Sequence, residues 1–444
     1  MRLKSNSSPR NCDLKEWAQD LCEDANRYTK QVSLTTTVPE VDARLLHLRE
    51  ARRGLLRRWR RQKLNRKLKI KIAQLTEETL QYATQLAQSN WHHITNKLQG
   101  TLVTARTWSL IRHLLDPTMS KNHTSQTFRM IVHNFKGTNE EILQKLINRY
   151  IGEAPSTEYP NYDGLPNPKL DRPFTEAEVV RAAQDLTRNT SPSRDKIQNR
   201  LLRNLDANSY STLTQHFNDV WASGKLPAEW KHAEVVLVPK PGKPPNLDNL
   251  RPITLTSCLG KLFEHVVLSR LQPYIDDTKV FSHTMFGFRA HLSAQDVFIQ
   301  LKADILDNIS PTTTQAVVVL DVKRAFDNVS HSLILQNLAS TNSGQRTYQY
   351  VRDFLSHRTA TIGVEFIRTD VLEVPGKGTP QGSVLSPTLF NLAMCRLPAL
   401  LECIPHIKHS LCVDDLTKWT TSGSDGDKQA SLQEAIDSVH NRAF

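Results

Sequence analysis

No apolar run in this chain approaches the roughly 20 residues that a membrane-spanning helix needs, so no such span and no membrane partner are expected. The opening stretch, MRLKSNSSPRNCDLKEW, is basic but lacks the apolar centre of a secretory signal. Cysteine is scarce. Its six copies stand singly, at Cys12, Cys22, Cys258, Cys395, Cys403 and Cys412, which suits reduced thiols rather than a disulfide framework. These absences predict an intracellular protein of the nucleus or cytoplasm, not a secreted one. What remains is ordinary: 39% hydrophobic and 23% charged residues in a chain of 444 describe a globular protein with room for two to four domains.

Acid is missing altogether from residues 51–71, ARRGLLRRWRRQKLNRKLKIK. Here Arg52, Arg53, Arg57, Arg58, Arg60, Arg61, Lys63, Arg66, Lys67, Lys69 and Lys71 stand together. Removing those eleven from the 57 Lys and Arg leaves 46 against 45 Asp and Glu, so the net charge of +12 resides almost wholly in one segment. So dense a block binds polyanions by releasing condensed counterions. It reads equally as a nuclear-import signal, or as a solvated helix face.

Residues 1–40 are polar and weakly patterned, a flexible leader. From Val41 to about Leu115 apolar residues recur at helical spacing, among them Leu45, Leu55, Trp59, Leu68, Trp91, Ile94 and Leu98. They predict two or three helices in a basic region over 41–155, with 116–138 irregular and a further helix near 140–151. A Pro-rich linker over 156–174 leads into a helical stretch, 175–230. There Thr175 and Glu178 form a capping box, and one helix is expected from Lys196 to Trp221. Beyond Trp230 the texture turns to strands. AEVVLVPK and RPITLTS read as a hairpin around PGKPPNLDNL, and TATIGVEF with VLEVP as a second strand pair. VVVLDV reads as a buried strand and 383–403 as one long apolar helix. KHSLCV and LTKWT form a hairpin with Asp414 and Asp415 at its turn. The last helix is expected near 428–439.

Three separated stretches carry chemistry: VVVLDVKRAFDNVSH from Val317, GTPQGSVLSPTLFNL from Gly378 and LCVDDL from Leu411. Asp321 ends an apolar β-run, and Asp414 and Asp415 are adjacent. Nucleotidyl transfer needs such a set, because two Mg²⁺ roughly 3.5–4 Å apart clamp the attacking 3′-oxygen, the α-phosphate and the leaving pyrophosphate. Hard Mg²⁺ is held by a few carboxylates together with substrate phosphates. Singly the residues say little, since Asp-Asp is common in turns and Asp321 also suits a helix cap.

From about Thr175 onward the chain resembles the reverse transcriptases of non-LTR (LINE-like) retrotransposons of the jockey and tick-transposon type. WKHAEVVLVPKPGKPPNLDNLRPITL is similar to the family's fingers entry, and SCLGKLFEHVVLSRL to the helix after it. HTMFGFRAHLSAQDV is similar to its Gly-Phe-Arg block, and the three stretches above to its palm. WSLIRHLLDP is similar to the region preceding the polymerase in such elements. The resemblance implies an α+β right-hand polymerase over 231–444: fingers, and a palm of antiparallel sheet with helices, after a mainly helical basic region. It implies an RNA-directed DNA polymerase that uses an RNA template, a DNA primer, dNTPs and two Mg²⁺, with Mn²⁺ as a substitute. The alternative is an inactive truncated relic that only binds nucleic acid.

On that resemblance Asp321, Asp414 and Asp415 are the catalytic metal carboxylates, with the Val322 carbonyl as a further metal contact. Phe326 lies under the incoming sugar, where its ring collides with a 2′-hydroxyl; plain core packing is the other reading. Gln381 and Gly382 meet the nucleotide from a turn whose backbone can approach closely. Lys240 and Arg251 grip the triphosphate, or are simple surface charges. Arg289 contacts the template or orders the fingers. Cys412 supports the primer end where the family usually has Tyr or Phe. The basic segment holds the element's RNA.

Cys403, His406, His409 and Cys412 run C-x2-H-x2-H-x2-C, yet residues three apart on a strand face opposite sides, so zinc is not expected. His331 reads as packing at a helix start, and Trp221 and Trp230 as core. The chain stops at Phe444, one helix after the Asp pair. The family's next strand and its thumb are therefore expected to be absent, as in a fragment or truncated copy. No segment resembles an endonuclease, so that activity is expected elsewhere.

Overall fold

A computed structural model describes residues 13–28, 42–62, 65–97, 121–152, 159–187, 190–240, 242–308, 314–322 and 325–442. Cys12, Lys63, Leu98, the WSLIRHLLDP stretch and most of the leader lie outside them. The chain divides into two compact units, residues 29–123 and the remainder.

The larger unit begins with α1 (Leu14–Tyr28). Leu14, Trp17 and Leu21 fall on one helical face and are buried in the unit's main core. This part of the leader is therefore an ordered helix rather than a flexible tail; its polar flanks dilute the pattern.

In the smaller unit α2 (Ala43–Arg61) and α3 (Arg66–Lys97) form an antiparallel hairpin. Asp42 caps α2 by accepting the Leu45 amide at 2.8 Å. Its second oxygen accepts the Tyr82 hydroxyl of α3, and the Arg44 guanidinium lies 4.6 Å from the Tyr82 ring centre.

Next are α4 (Lys121–Asn134), which belongs to the larger unit from Thr124 onward, and α5 (Asn139–Leu146), which runs into a π turn at Ile147–Ile151. The expected irregular stretch thus contains α4. Ile131 of α4, with Ile142 and Leu146, packs on Leu237, Leu250, Ile362 and Val364 of a sheet, a non-local contact that local periodicity does not announce. Next come α6 (Glu176–Asp185), which carries the Thr175–Glu178 capping box, and α7 (Ala207–Ser223). The single helix expected from Lys196 is broken, because Asp206 accepts the Ser209 amide at 2.9 Å and starts α7 anew.

The strands are β1 (His232–Pro239), β2 (Leu250–Leu255), β3 (Val317–Asp321), β4 (Thr359–Val364), β5 (Ile367–Arg368), β6 (Leu372–Glu373), β7 (Ile407–Cys412) and β8 (Asp415–Thr420). The first sheet is ordered β2-β1-β4-β5, with β6 also on β4. β1 is antiparallel to β2 but parallel to β4, so the two expected strand pairs join in one mixed sheet. The second sheet, β3-β8-β7, is antiparallel throughout. Its β3 is not buried: Val317 and Val319 are 47% and 61% exposed, since β3 is an edge with one face open.

Among the described residues the other helices longer than one turn are α8 (Cys258–Asp277), α9 (Ala294–Asp304), α10 (His331–Ser340), α11 (Gln345–Leu355), α12 (Ser386–Met394), α13 (Leu397–Glu402) and α14 (Asp425–Arg442). The long helix expected over 383–403 is thus two, with Pro398 at the start of α13, where its missing amide does no harm. Phe263 of α8 centres the core, meeting Phe174, Phe217, Trp221, Trp230 and Tyr350 at ring separations of 4.9–6.3 Å. Among the described residues no helix is long and apolar enough to cross a membrane.

Candidate active site

β3 and the β7–β8 hairpin gather the three aspartates at one end of the second sheet. Asp321, the last residue of β3, is the register partner of Asp415, the first of β8. Cys412 faces Asp415 from β7. Directly opposed residues share a face of a sheet, so Asp321, Asp415 and Cys412 do. The Val322 amide donates to the Asp414 carbonyl at 3.0 Å, which sets Asp414 beside them. Asp321 and Asp415 are exposed and Asp414 is half-buried. Among the described residues none of the three carboxylates has an ion-pair partner. Burial, then the charges of Asp415 and Asp414, push the Cys412 thiol up.

The turn that presents Asp414 is strained. Val413 has φ of 62°, and Asp414 is not in that region. Glycine usually fills such a position in a two-residue hairpin turn, and a β-branched residue there persists only when its surroundings hold it. The holder is Gly287, where a Cβ would fall 2.4 Å from the Val413 nitrogen. The Phe286 amide donates to the Leu411 carbonyl at 2.7 Å, and the Leu411 amide to that of Thr284 at 2.8 Å. Asn391, buried on α12, donates its side-chain amide to the Gly287 carbonyl at 2.9 Å. Arg289 turns back onto the carbonyls of Ser282 and Met285, at 2.9 and 3.1 Å, and so orders this loop. Sequence reasoning missed Gly287 and Asn391 as supports; a lone Asn in the apolar run SPTLFNLAM was the available signal.

Among the described residues no three His, Cys, Asp or Glu side chains form a ready-made metal cluster. Three carboxylates without an ion-pair partner among the described residues nevertheless fit a hard divalent cation, which completes its shell with phosphate oxygens and water. The zinc-like run points apart: Cys403 donates to the Ala399 carbonyl, His406 pairs with Ser422 and His409 with Thr284.

Phe326 is half-buried, edge-on to Phe288 at 5.8 Å and stacked on Phe390 at 5.1 Å. Gly378 lies against its loop at φ 78°, where a Cβ would fall 2.6 Å from the Asp327 carbonyl oxygen. The Gly378 amide donates to Val329 and the Thr379 amide to Phe326, both at 2.7 Å. Two residues on, the Thr254 amide of β2 donates to the Gln381 carbonyl at 2.8 Å. Gly382, at φ 124°, brings its backbone so near that a Cβ would fall 2.6 Å from the Thr254 oxygen. The close approach at Gly382 is therefore made to β2.

Glu264, fully buried on α8, accepts from the Ser383 hydroxyl at 2.6 Å and from the Val384 and Leu385 amides at 2.7 and 3.1 Å. Burial pushes its carboxyl up. Sequence reasoning missed it too, although an acid inside LGKLFEHVV was a signal. Lys240 and Arg251 are exposed at the loop end of the β1–β2 hairpin, where the Lys240 amide bonds the Asn249 carbonyl at 2.9 Å. Neither touches the aspartates; the Thr254–Gln381 bond joins their sheet to the turn.

In the smaller unit the cations converge on the hairpin turn. Arg57, Arg58, Arg60 and Arg61 end α2, and Arg66, Lys67, Lys69 and Lys71 begin α3, all exposed, as is Arg53; Arg52 is half-buried. Cations at the start of α3 oppose its helix dipole, an arrangement that helix stability does not favour.

Opposed aspartates at a strand end, a half-buried ring one loop onward and a glycine turn tied to β2, to the loop after β3 and to α8 are the features of a template-directed nucleotide polymerase palm. Residues 238–443 match the family described as reverse transcriptase (RNA-dependent DNA polymerase). Over 271 residues the chain is 29% identical to the RNA-directed DNA polymerase from mobile element jockey of Drosophila melanogaster, covering 60% of this chain and 29% of that one. It is 28% identical over 228 residues to the probable RNA-directed DNA polymerase from transposon BS of the same fly, covering 51% and 25%. It is 32% identical over 185 residues to the retrovirus-related Pol polyprotein from type-1 retrotransposable element R2 of Popillia japonica, covering 41% and 25%. Residues 238–443 are thus a reverse transcriptase domain similar to those of non-LTR mobile elements, and that family implies the fingers-and-palm fold over this stretch. The chain spans under a third of the length of these relatives.

Proposed function

We propose that this chain extends a DNA 3′-end on an RNA template, using dNTPs and two Mg²⁺ held by Asp321, Asp414 and Asp415. One observation carries the reading: Asp321 is paired in register with Asp415 while the Val322 amide bonds Asp414. Bound there, the cations supply Lewis-acid stabilisation of the attacking 3′-oxygen and the leaving pyrophosphate.

The rest falls to the chain's own side chains. Asp321 and Asp415, on one face, fix where the reacting phosphate sits, and the propped Val413 turn holds Asp414 to the same spot. The Phe326 ring, wedged between Phe288 and Phe390, cannot swing aside for a 2′-hydroxyl. Gln381 meets the sugar or base from a turn held by Thr254 and Glu264. Lys240 and Arg251 offer charge to the triphosphate, and the basic hairpin holds RNA through its phosphates.

The test is Asp414→Asn. Primer extension should fall below detection while RNA affinity stays within about twofold, because the change removes a reaction-centre charge and not a binding one. Undiminished extension would remove Asp414 from the centre and overturn the reading.

A further inference from the structure

His331 closes the first palm stretch and is 2% exposed. Its Nε2 lies 2.6 Å from the Gly378 carbonyl oxygen. A carbonyl can only accept, so Nε2 carries the proton. Nδ1 is then an acceptor, and the Tyr159 hydroxyl, 2.9 Å away, donates to it. The two rings stack at 5.8 Å. Burial lowers the ring's pKa to about 4, which keeps it neutral and in this one tautomer at ordinary assay pH.

Both ends of this relay lead somewhere. Gly378 opens the Gly-Thr-Pro-Gln-Gly turn, and the same turn is steadied by a backbone bridge between Ser330 and Lys377. Tyr159 belongs to the stretch expected to be a linker, which is in fact strapped across α10 and α11. The Tyr348 hydroxyl donates to the Pro160 carbonyl at 2.7 Å, the Gly344 amide to the Tyr162 hydroxyl at 3.1 Å, and the Leu165 amide to Asn342 at 2.9 Å. With Tyr159 anchored on this strap, the imidazole has no freedom to turn.

We propose that His331 is a positioning residue for the incoming nucleotide: oriented by Tyr159, it grips the Gly378 carbonyl and so fixes the turn that presents Gln381. The proposal rests on the reading of Gln381 as a nucleotide contact. It differs from plain packing in what it demands of each ring nitrogen. A Gln side chain can place a donor where Nε2 stands, whereas Asn reproduces only the Nδ1 acceptor. A residue that merely fills space would not tell these two apart in the direction of nucleotide affinity.

The experiment is primer extension on an RNA template by the full chain at varied dNTP, with wild type, His331→Gln, His331→Asn and Tyr159→Phe. His331→Gln should keep KM within about twofold of wild type, while His331→Asn raises it about tenfold at nearly unchanged kcat, since a binding contact and not the reaction centre has moved. Tyr159→Phe, which frees the ring but leaves its donor, should raise KM about threefold. Equal KM for the Gln and Asn variants, or a fall in kcat alone, would overturn the proposal. A wild-type chain that extends no primer would count against the polymerase reading instead. In that case amide exchange over 374–383 decides: faster exchange in His331→Asn than in His331→Gln supports the grip on Gly378, and equal exchange refutes it.

Discussion

Gly287 lies directly against Val413, so close that a single Cβ on the glycine would fall 2.4 Å from the valine's backbone nitrogen. The contact sets the turn that carries Asp414. Gly287→Ala must push that turn aside by about an ångström, and misplacement on this scale costs on the order of a hundredfold in rate. Single-turnover extension should show that loss with RNA affinity intact. An alanine variant working at the wild-type rate would mean that the turn adjusts freely.

Phe326 has rings on two sides, so shortening it opens space that the backbone does not close. Phe326→Ala should admit ribonucleotides far more readily while keeping most dNTP use, and should lower stability by about 2–3 kcal/mol for a half-buried ring. Competition between dNTP and rNTP at one template position reads this out. Unchanged sugar discrimination would leave Phe326 with a packing role alone.

The cations at the α2–α3 turn are exposed, so their charge can be removed without dismantling the hairpin. If about six of them engage phosphates, RNA affinity should fall with salt at a log–log slope near −4 to −5. Replacing Arg57, Arg58, Arg60 and Arg61 with Gln should flatten that slope by about 3. A slope that survives the change would assign the affinity to the polymerase cleft and leave the segment to nuclear import.

His331 and His409 are buried neutral, each lowered by burial to about 4 from the ordinary 6.5. Between those values the unfolded rings bind protons that the native rings refuse. Stability is thus complete above about pH 6.5 and declines as pH falls toward 4, by up to about 3 kcal/mol per ring. Denaturant midpoints at pH 7, 5.5 and 4.5 should drop less for His409→Gln than for wild type. An identical drop would mean that His409 titrates as an exposed ring.

Local grammar carried much of this molecule into view. The Thr175 capping box, the β1–β2 hairpin and the β7–β8 hairpin depend on neighbours in sequence, and each formed where its residues indicated, except that the last turns at Val413–Asp414 and leaves Asp415 in β8 rather than in the turn. The residues that hold the site do not work that way. Asn391 bonds Gly287 across 104 positions and Glu264 bonds Ser383 across 119, so no local period reveals them. The parallel pairing of β1 with β4 is equally remote. α1 and α4 escaped or were blurred because short apolar faces sit in polar surroundings and become decisive only when a core accepts them. Val319 shows the converse: a run that looked wholly interior keeps every second side chain open.

The pairing of Asp321 with Asp415 also has a history in time. The β7–β8 hairpin is local and can close within microseconds, whereas β3 must be joined from 94 positions away, the slow kind of pairing. On a ribosome adding about 5–20 residues per second, β3 waits about 5–20 s for its partner to be made. Throughout that interval its valine-rich edge is bare and open to any other strand, and no reaction centre exists. The opposed aspartates therefore come together only after β8 has been made, and shielding the β3 edge until then matters to the newborn chain.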